Sequence, residues 1–434
     1  MLKYNEALKI IRDTARTCSL KTERISILKA VGRICAEDLK SEITVPPYNN
    51  SAVDGFAVHS ELLSKASPQN PMRFKVLGLI AAGDVPPKNP EQDGAWQIMT
   101  GAPYPEGFDA SVKIEDTFLV RNDKGQVTEI QINTAVMPRQ NWRGAGEDFS
   151  IGTPVIQKHN MVTPEHILAL SSLGLSEISV YRRPKVGLIS TGRELVPMDQ
   201  KPADGQIRNS TAPYLVATLE SLGIDITHLG TILDVPEEFH ALMKKVIIED
   251  YDILLTTGAV SMGQFDFVAE GIKKLNAEIF FHKVAIRPGK PLLFARFKEG
   301  PILFGLPGNP VSGVVALRFF IDPFLRELYG MSPELPLRAR LASKTNKPEG
   351  LSCFFKSHVT MGSGGVISTV LPGQMSFMVS PLLKSNAWTV FTESNCEVSA
   401  GAQVDIYPMH FTPYAWHDER DFKNNQSINK DLST

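Results

Sequence analysis

Residues 252–263, DILLTTGAVSMG, decide the fold. The run Asp252 to Thr256 is apolar at every inner position and too short for a buried helix, and it flows into the turn Thr257-Gly258. A strand buried on both faces, ending in a glycine turn, has this texture. Two further segments repeat it: KVGLISTGRE at 185–194 and ILFGLPGNPVS at 302–312, with strands over Lys185 to Ser190 and Ile302 to Leu306. A fourth strand is expected over Asp225 to Thr231. Between and after them, helical spacing is readable over Thr211 to Leu222, Pro236 to Ile248, Phe267 to Leu275 and Val311 to Leu328. Alternating apolar strands and helices predict a central, doubly wound, mostly parallel α/β domain at 181–330.

In a parallel sheet all strand C-termini lie on one edge, so the turns at Gly192, Gly258 and Gly308 should converge. Glycine lets the backbone approach a ligand, and amides exposed at helix starts attract anions. Any one turn is equally explained as a tight turn with a good N-cap, which Ser261 or Ser312 would supply; three together point to a small anion bearing phosphate or a similar oxyanion. Arg287-Pro288-Gly289-Lys290-Pro291 sets two cations in a proline-fixed turn, suited to an oxyanion or to plain solvation. Carboxylates stand at the loop ends: Glu194, Asp234 and Asp266. Beside a phosphate they suit Mg²⁺, which takes oxygen ligands, while Asp234 and Asp266 read equally well as helix N-caps. The absence of GxxxxGK[ST] argues against a P-loop nucleotide site.

Outward from this domain the texture changes. Ala7, Leu8, Ile11 and Ala15 predict a helix over Tyr4 to Ala15, and Lys21 to Val31 repeats the helical pattern less cleanly. The run Val45-Pro46-Pro47-Tyr48-Asn49-Asn50 marks a boundary. Short β-type runs follow, at Lys75 to Ala81, Ala110 to Ile114 and Val127 to Ile132, with acidic, glycine-bearing loops at Ser51 to Gly55 and Gly146 to Asp148. A helix from Pro164, ending at Gly174, is expected to pack on the N-terminal one. The resulting division is a helical and extended linker domain at 1–45 and 141–180, a β-rich insertion domain at 46–140, the α/β domain at 181–330, a small C-terminal β domain at 331–411, and a flexible polar tail at 412–434.

With 434 residues, 43% hydrophobic and 21% charged, and a net charge of −2, the chain reads as an ordinary globular protein without a general nucleic-acid-binding surface. No apolar run is long enough for a membrane span, and charges scattered through the first twenty residues argue against a signal peptide, so a cytoplasmic location is expected. Cys18, Cys35, Cys353 and Cys396 are too widely spaced for a disulfide framework or zinc knuckle and are expected to be buried free thiols.

The chain from the N-terminus to about Asp405 resembles the molybdopterin molybdenumtransferase family, which includes the C-terminal domain of gephyrin, on eight ordered segments: PPYNNSAVDGFAV at 46, IMTGAPYPEGFDA at 98, NWRGAGEDFSIG at 141, RPKVGLISTGREL at 183, ADGQIRNST at 203, LLTTGAVSMGQFD at 254, VAIRPGKP at 284 and FGLPGNPVSG at 304. The resemblance implies a four-domain homodimer whose site is shared between the α/β domain of one subunit and the insertion domain of the other. It implies insertion of molybdenum from molybdate into adenylylated molybdopterin, with AMP release and Mg²⁺ dependence, and transient contact with the molybdopterin adenylyltransferase. Glu194, Asp234 and Asp266 would handle the metal ion and adenylate; Gly192, Gly258, Ser261, Gly308 and Asn309 the pterin phosphates; Lys290, Pro291 and Ser312, with Arg287, the molybdate. Asp54, Thr100 and Asp148 match functional positions of the insertion domain.

The chain departs from the family pattern at Ala259 (Gly expected), Arg193 (Asp), Thr211 (Asn), Leu351 (Arg) and Met375-Ser376-Phe377 (a Gly-Ser-Gly loop). The alternative these departures imply is a divergent paralogue, tungsten-preferring or acting as a non-catalytic molybdopterin-binding scaffold.

Overall fold

The computed structural model describes residues 1–410 apart from 234, 261–266, 299 and 394–395. In the α/β domain the strands are β1 (Lys185–Thr191), β2 (Asp225–Ile232), β3 (Ile253–Thr257), β4 (Ala277–His282), β5 (Leu293–Phe297) and β6 (Ile302–Leu306). They lie in the order β2-β1-β3-β6-β5-β4. The first four are mutually parallel, while β5 and β4 are added antiparallel at one edge. Those two strands have no clear sequence period, and pairing of β5 with β6 and of β4 with β5, rather than any local pattern, defines them.

Side chains alternate across this sheet with a period of two. Val186, Leu188, Ile253, Leu255, Ile302, Phe304 and Leu306 face one core. Ile189, Leu254 and Leu303 face the other. Helix α1 (Thr211–Ser221) covers the first face through Ala212, Leu215 and Leu219, as does α4 (Pro310–Ala316) through Val311, Val314 and Val315. Helices α2 (Pro236–Ile247) and α3 (Val268–Lys274) cover the second through Phe239, Met243, Val246, Val268 and Ile272. The sheet is thus doubly wound. The long helix expected from Val311 continues from α4 through a π-helical turn, Leu317–Ile321, into α5 (Asp322–Leu328).

The N-terminal helix forms over Tyr4–Arg16 and buries Ala7, Leu8, Ile11 and Ala15. Two expectations fail beside it. Residues 21–31 are a strand, Thr22–Ser26, and a short 3₁₀ turn, Ile27–Lys29, because the strand pairs antiparallel with Glu177–Tyr181. Partnership across the fold overrides the weak helical spacing and leaves Leu28 80% exposed. The helix Pro164–Ser172 does not pack on the N-terminal one; its Leu170 joins Ile27, Ala30, Ile156 and Ile178 in a separate cluster. The N-terminal helix lies instead along α5.

The insertion sheet is six-stranded, in the order Ala110–Lys113, Gly55–Val58, Ala95–Ile98, Met72–Ile80, Val127–Ile132, Thr117–Arg121. Gly55 is required there, because a Cβ would lie 1.8 Å from the carbonyl oxygen of Val112. In the C-terminal sheet the strand Ser352–Gly362 pairs with both Gly365–Val370 and Ala387–Phe391, which closes it into a barrel-like unit. A two-residue strand of the α/β domain, Ile286–Arg287, adds to it in parallel at Ser352–Cys353. All four cysteines are free; Cys35 and Cys353 are buried, but Cys18 is half-buried and Cys396 exposed, contrary to expectation. Among the described residues no helix is long and apolar enough to cross a membrane.

Candidate anion site at the strand ends

The three glycine turns meet. Gly258 has φ +88°, and its amide donates to the Leu306 carbonyl at 3.0 Å, tying the end of β3 to that of β6. A Cβ at Gly258 would stand 2.6 Å from the Thr191 carbonyl oxygen at the end of β1, and one at Gly308 would stand 3.7 Å from the Gly258 Cα. The Thr191 hydroxyl closes the group by donating to the Thr257 carbonyl at 3.0 Å. A side chain is therefore excluded at Gly258, where the ends of β1, β3 and β6 meet, so that the surface at that point is backbone.

Amides at the start of α4 are divided. Ser312 and Gly313 donate to the Asn309 carbonyl, and Val311 donates to the Ser376 carbonyl of the C-terminal domain at 3.0 Å. The amides of Gly308 and Asn309, on exposed residues, have no acceptor among the described residues and remain to meet an anion. Ser312 is 3% exposed. Beside it runs the Arg287–Pro291 turn: a Cβ at Gly289, whose φ is +101°, would lie 3.7 Å from the Ser312 carbonyl oxygen. Arg287 and Lys290 are exposed, and the Arg287 guanidinium reaches the Met375 sulfur at 3.9 Å. The turn is held by amide bonds from Val284 to Lys290 and from Lys283 to Leu292. The turn and its two exposed cations therefore adjoin the start of α4.

Glu194 is exposed, and its carboxylate folds back over Gly192, where a Cβ would fall 2.8 Å from the nearer oxygen. Asp234, Ser261 and Asp266 lie outside the described residues. Among the described residues no three of His, Cys, Asp and Glu stand together as a metal site. Mg²⁺ is commonly held by one or two carboxylates plus substrate phosphates, so a single Glu194 beside the strand-end turns fits that donor set.

In the insertion domain Asp54 accepts from the Thr100 amide at 2.7 Å and from its hydroxyl at 2.9 Å. The amide bond, then the hydroxyl bond, holds the Asp54 carboxyl below the usual carboxylate range. Asp148 is anchored by its amide on the Val45 carbonyl, and Gly101 donates to Ser51, so the segments carrying Asp54, Thr100 and Asp148 are laced together. No hydrogen bond joins these three residues to the strand-end turns among the described residues.

Two features of the site escaped sequence reading. Asn209 is 7% exposed; its side chain donates to the Ser190 hydroxyl at 2.9 Å and accepts from the Ala212 amide, bracing the start of α1 against β1. Lys356, on a strand of the C-terminal barrel, is 1% exposed and holds the loop that meets α4. Neither could be found from spacing, since each works across domains or elements distant in sequence. Of the departures, Ala259 adopts φ +52°, a backbone region that favours glycine. Thr211 packs on α4, its methyl 2.9 Å from where a Gly313 Cβ would stand. A cavity of about 600 Å³ lies at the other end of α1, lined by Tyr214, Leu222 and Arg318, and includes none of these turns.

A doubly wound domain whose glycine turns converge at one sheet edge, flanked by a β-rich insertion and a barrel, defines a multidomain α/β protein with a candidate anion site at its strand ends. Comparison with known proteins narrows this. Residues 2–174 match the family model described as MoeA N-terminal region (domain I and II), and residues 187–327 the probable molybdopterin binding domain. The chain is 38% identical to the molybdopterin molybdenumtransferase of Synechococcus elongatus, over 94% of this chain and 99% of that one. It is 34% identical to that of Haemophilus influenzae, over 90% and 94%. The solved molybdopterin biosynthesis moeA protein of Pyrococcus horikoshii OT3 superposes with a TM-score of 0.79 at 28% identity, covering 94% of this chain and 99% of that one. The chain belongs to the molybdopterin molybdenumtransferases, transferases of molybdenum cofactor biosynthesis.

Proposed function

We propose that this transferase takes adenylylated molybdopterin and molybdate, inserts the metal into the pterin dithiolene, and releases AMP in a Mg²⁺-dependent reaction. The observation that carries the reading is the meeting of the Gly192, Gly258 and Gly308 turns next to Ser312 and the Arg287–Pro291 turn. It supports a reading with two adjoining anion sites of different character. The backbone surface, with the Gly308 and Asn309 amides and Ser261 nearby in sequence, receives the phosphates; Lys290, Pro291 and Ser312, with Arg287, receive molybdate. Glu194, with Asp234 and Asp266, would hold Mg²⁺, which supplies charge neutralisation at the pyrophosphate that breaks.

In this reading the insertion domain, with Asp54, Thr100 and Asp148, serves the site of a second copy in a homodimer. In the reaction Asp54, kept ionised by Thr100, is suited to orient the substrate or its metal ion. A cytoplasmic location and transient contact with the adenylyltransferase that supplies the substrate belong to the same reading. Purified protein given adenylylated molybdopterin, saturating molybdate and Mg²⁺ should release AMP and yield active cofactor; no AMP release under those conditions refutes it.

The strain at Ala259 favours one narrower variant: an enzyme of reduced or tungstate-shifted activity. Restoring Gly at Ala259 and Asp at Arg193 should raise turnover with molybdate; an unchanged rate counts against it.

A further inference from the structure

The loop that covers the start of α4 belongs to the C-terminal barrel, and one side-chain pair fixes it there. Ser376 accepts from the Val311 amide, one residue before Ser312, and Met375 contacts Arg287. The loop thus touches both sides of the oxyanion site. Its hold on the barrel comes from Lys356 and Gln374. The Lys356 ammonium donates to the Met375 carbonyl at 3.3 Å and the Met378 carbonyl at 3.0 Å. Gln374 accepts from the Lys356 amide at 3.0 Å and donates to the carbonyls of Lys356 and Leu371 at 2.9 and 2.7 Å.

We propose that Lys356 is a positioning residue for oxyanion capture: through Gln374 and the Met375–Met378 backbone it sets the loop against Ser312 and Arg287, and so governs affinity for molybdate rather than for the pterin. A buried lysine with backbone carbonyls as its partners is costly to keep. Burial pushes its pKa down to about 8. A structural anchor alone could be supplied by an apolar side chain of the same length. An ammonium pins two carbonyls at once and holds the loop's orientation.

The inference rests on the proposed reaction, and its test separates the two. In the full-length protein, Lys356→Met should raise the molybdate concentration giving half-maximal AMP release by roughly tenfold or more, with the half-saturating pterin adenylate concentration changed less than twofold. Lys356→Arg should restore molybdate dependence to within about threefold. Gln374→Ala, a milder change near the surface, should show the same selective effect at smaller size and serves if Lys356→Met does not fold. Independently of turnover, the Val311 amide should exchange hydrogen faster in both Lys356→Met and Gln374→Ala, because its acceptor is on the loop. Equal loss for both substrates, failure of the Arg rescue, or unchanged Val311 exchange overturns the inference. Failure of the unsubstituted protein to release AMP overturns the reaction assigned to the site, whatever Val311 does.

Discussion

Two neighbouring residues at the end of β3 should respond to substitution with opposite signs. Gly258→Ala places a Cβ at φ +88°, 2.6 Å from a backbone carbonyl that cannot swing away. The left-handed backbone costs an L-residue roughly 1–2 kcal/mol, and forcing extra volume into packed backbone costs about 1–3 kcal/mol more. A loss of about 3 kcal/mol should lower the unfolding midpoint of a domain this size by roughly 6–12 °C. Ala259→Gly removes a Cβ at φ +52°. Relief of strain is partly offset by the roughly 0.4–1 kcal/mol of extra chain entropy that glycine brings to the unfolded state, leaving a net gain on the order of 0.5 kcal/mol and a rise of about 1–2 °C. Scanning calorimetry reads the transition that carries the α/β domain, and AMP release is followed in parallel. Gly258→Ala should also lose phosphate binding, since the three strand ends meet there. A Gly258→Ala midpoint within a degree of the parent, or a lower midpoint for Ala259→Gly, refutes the reasoning from backbone geometry.

Ser312→Ala and Lys290→Ala should each raise the molybdate requirement on the order of tenfold or more, as expected for a lost bond to a charged ligand, in steady-state AMP release. Thr100→Val removes the hydroxyl donor to Asp54 and should move that carboxyl back toward its ordinary range in a ¹³C NMR titration. Because its folded value is lowered, the stabilisation from this pair is present above the ordinary carboxylate range and disappears as pH falls through the folded value, so acid sensitivity should shrink in the variant. Glu334→Ala strips one of the two carboxylates from Arg318, which is 5% exposed and reaches Glu334 at 2.7 Å and Asp322 at 3.0 Å. Breaking such a buried network costs about 3–5 kcal/mol, measurable as a lowered unfolding midpoint without a selective change in substrate affinity.

The sequence by itself determined the parts whose cause is local. Continuous apolar runs at 185–190, 252–256 and 302–306, each closed by glycine, specify strands buried on two faces, and the parallel order then brings Gly192, Gly258 and Gly308 to one edge. The cations of Arg287 and Lys290 and the family resemblance were equally legible there. Only the tertiary structure decided what depends on partners far along the chain. Residues 22–26 are a strand because Glu177–Tyr181 lies beside them, β5 exists through pairing with β6, and β4 through pairing with β5. Asn209 and Lys356 become part of the site only when Ser190 and the Met375–Met378 carbonyls are folded against them. Periodicity records which face of an element is buried, whereas the partner waiting on that face is set by contacts between segments that periodicity does not encode.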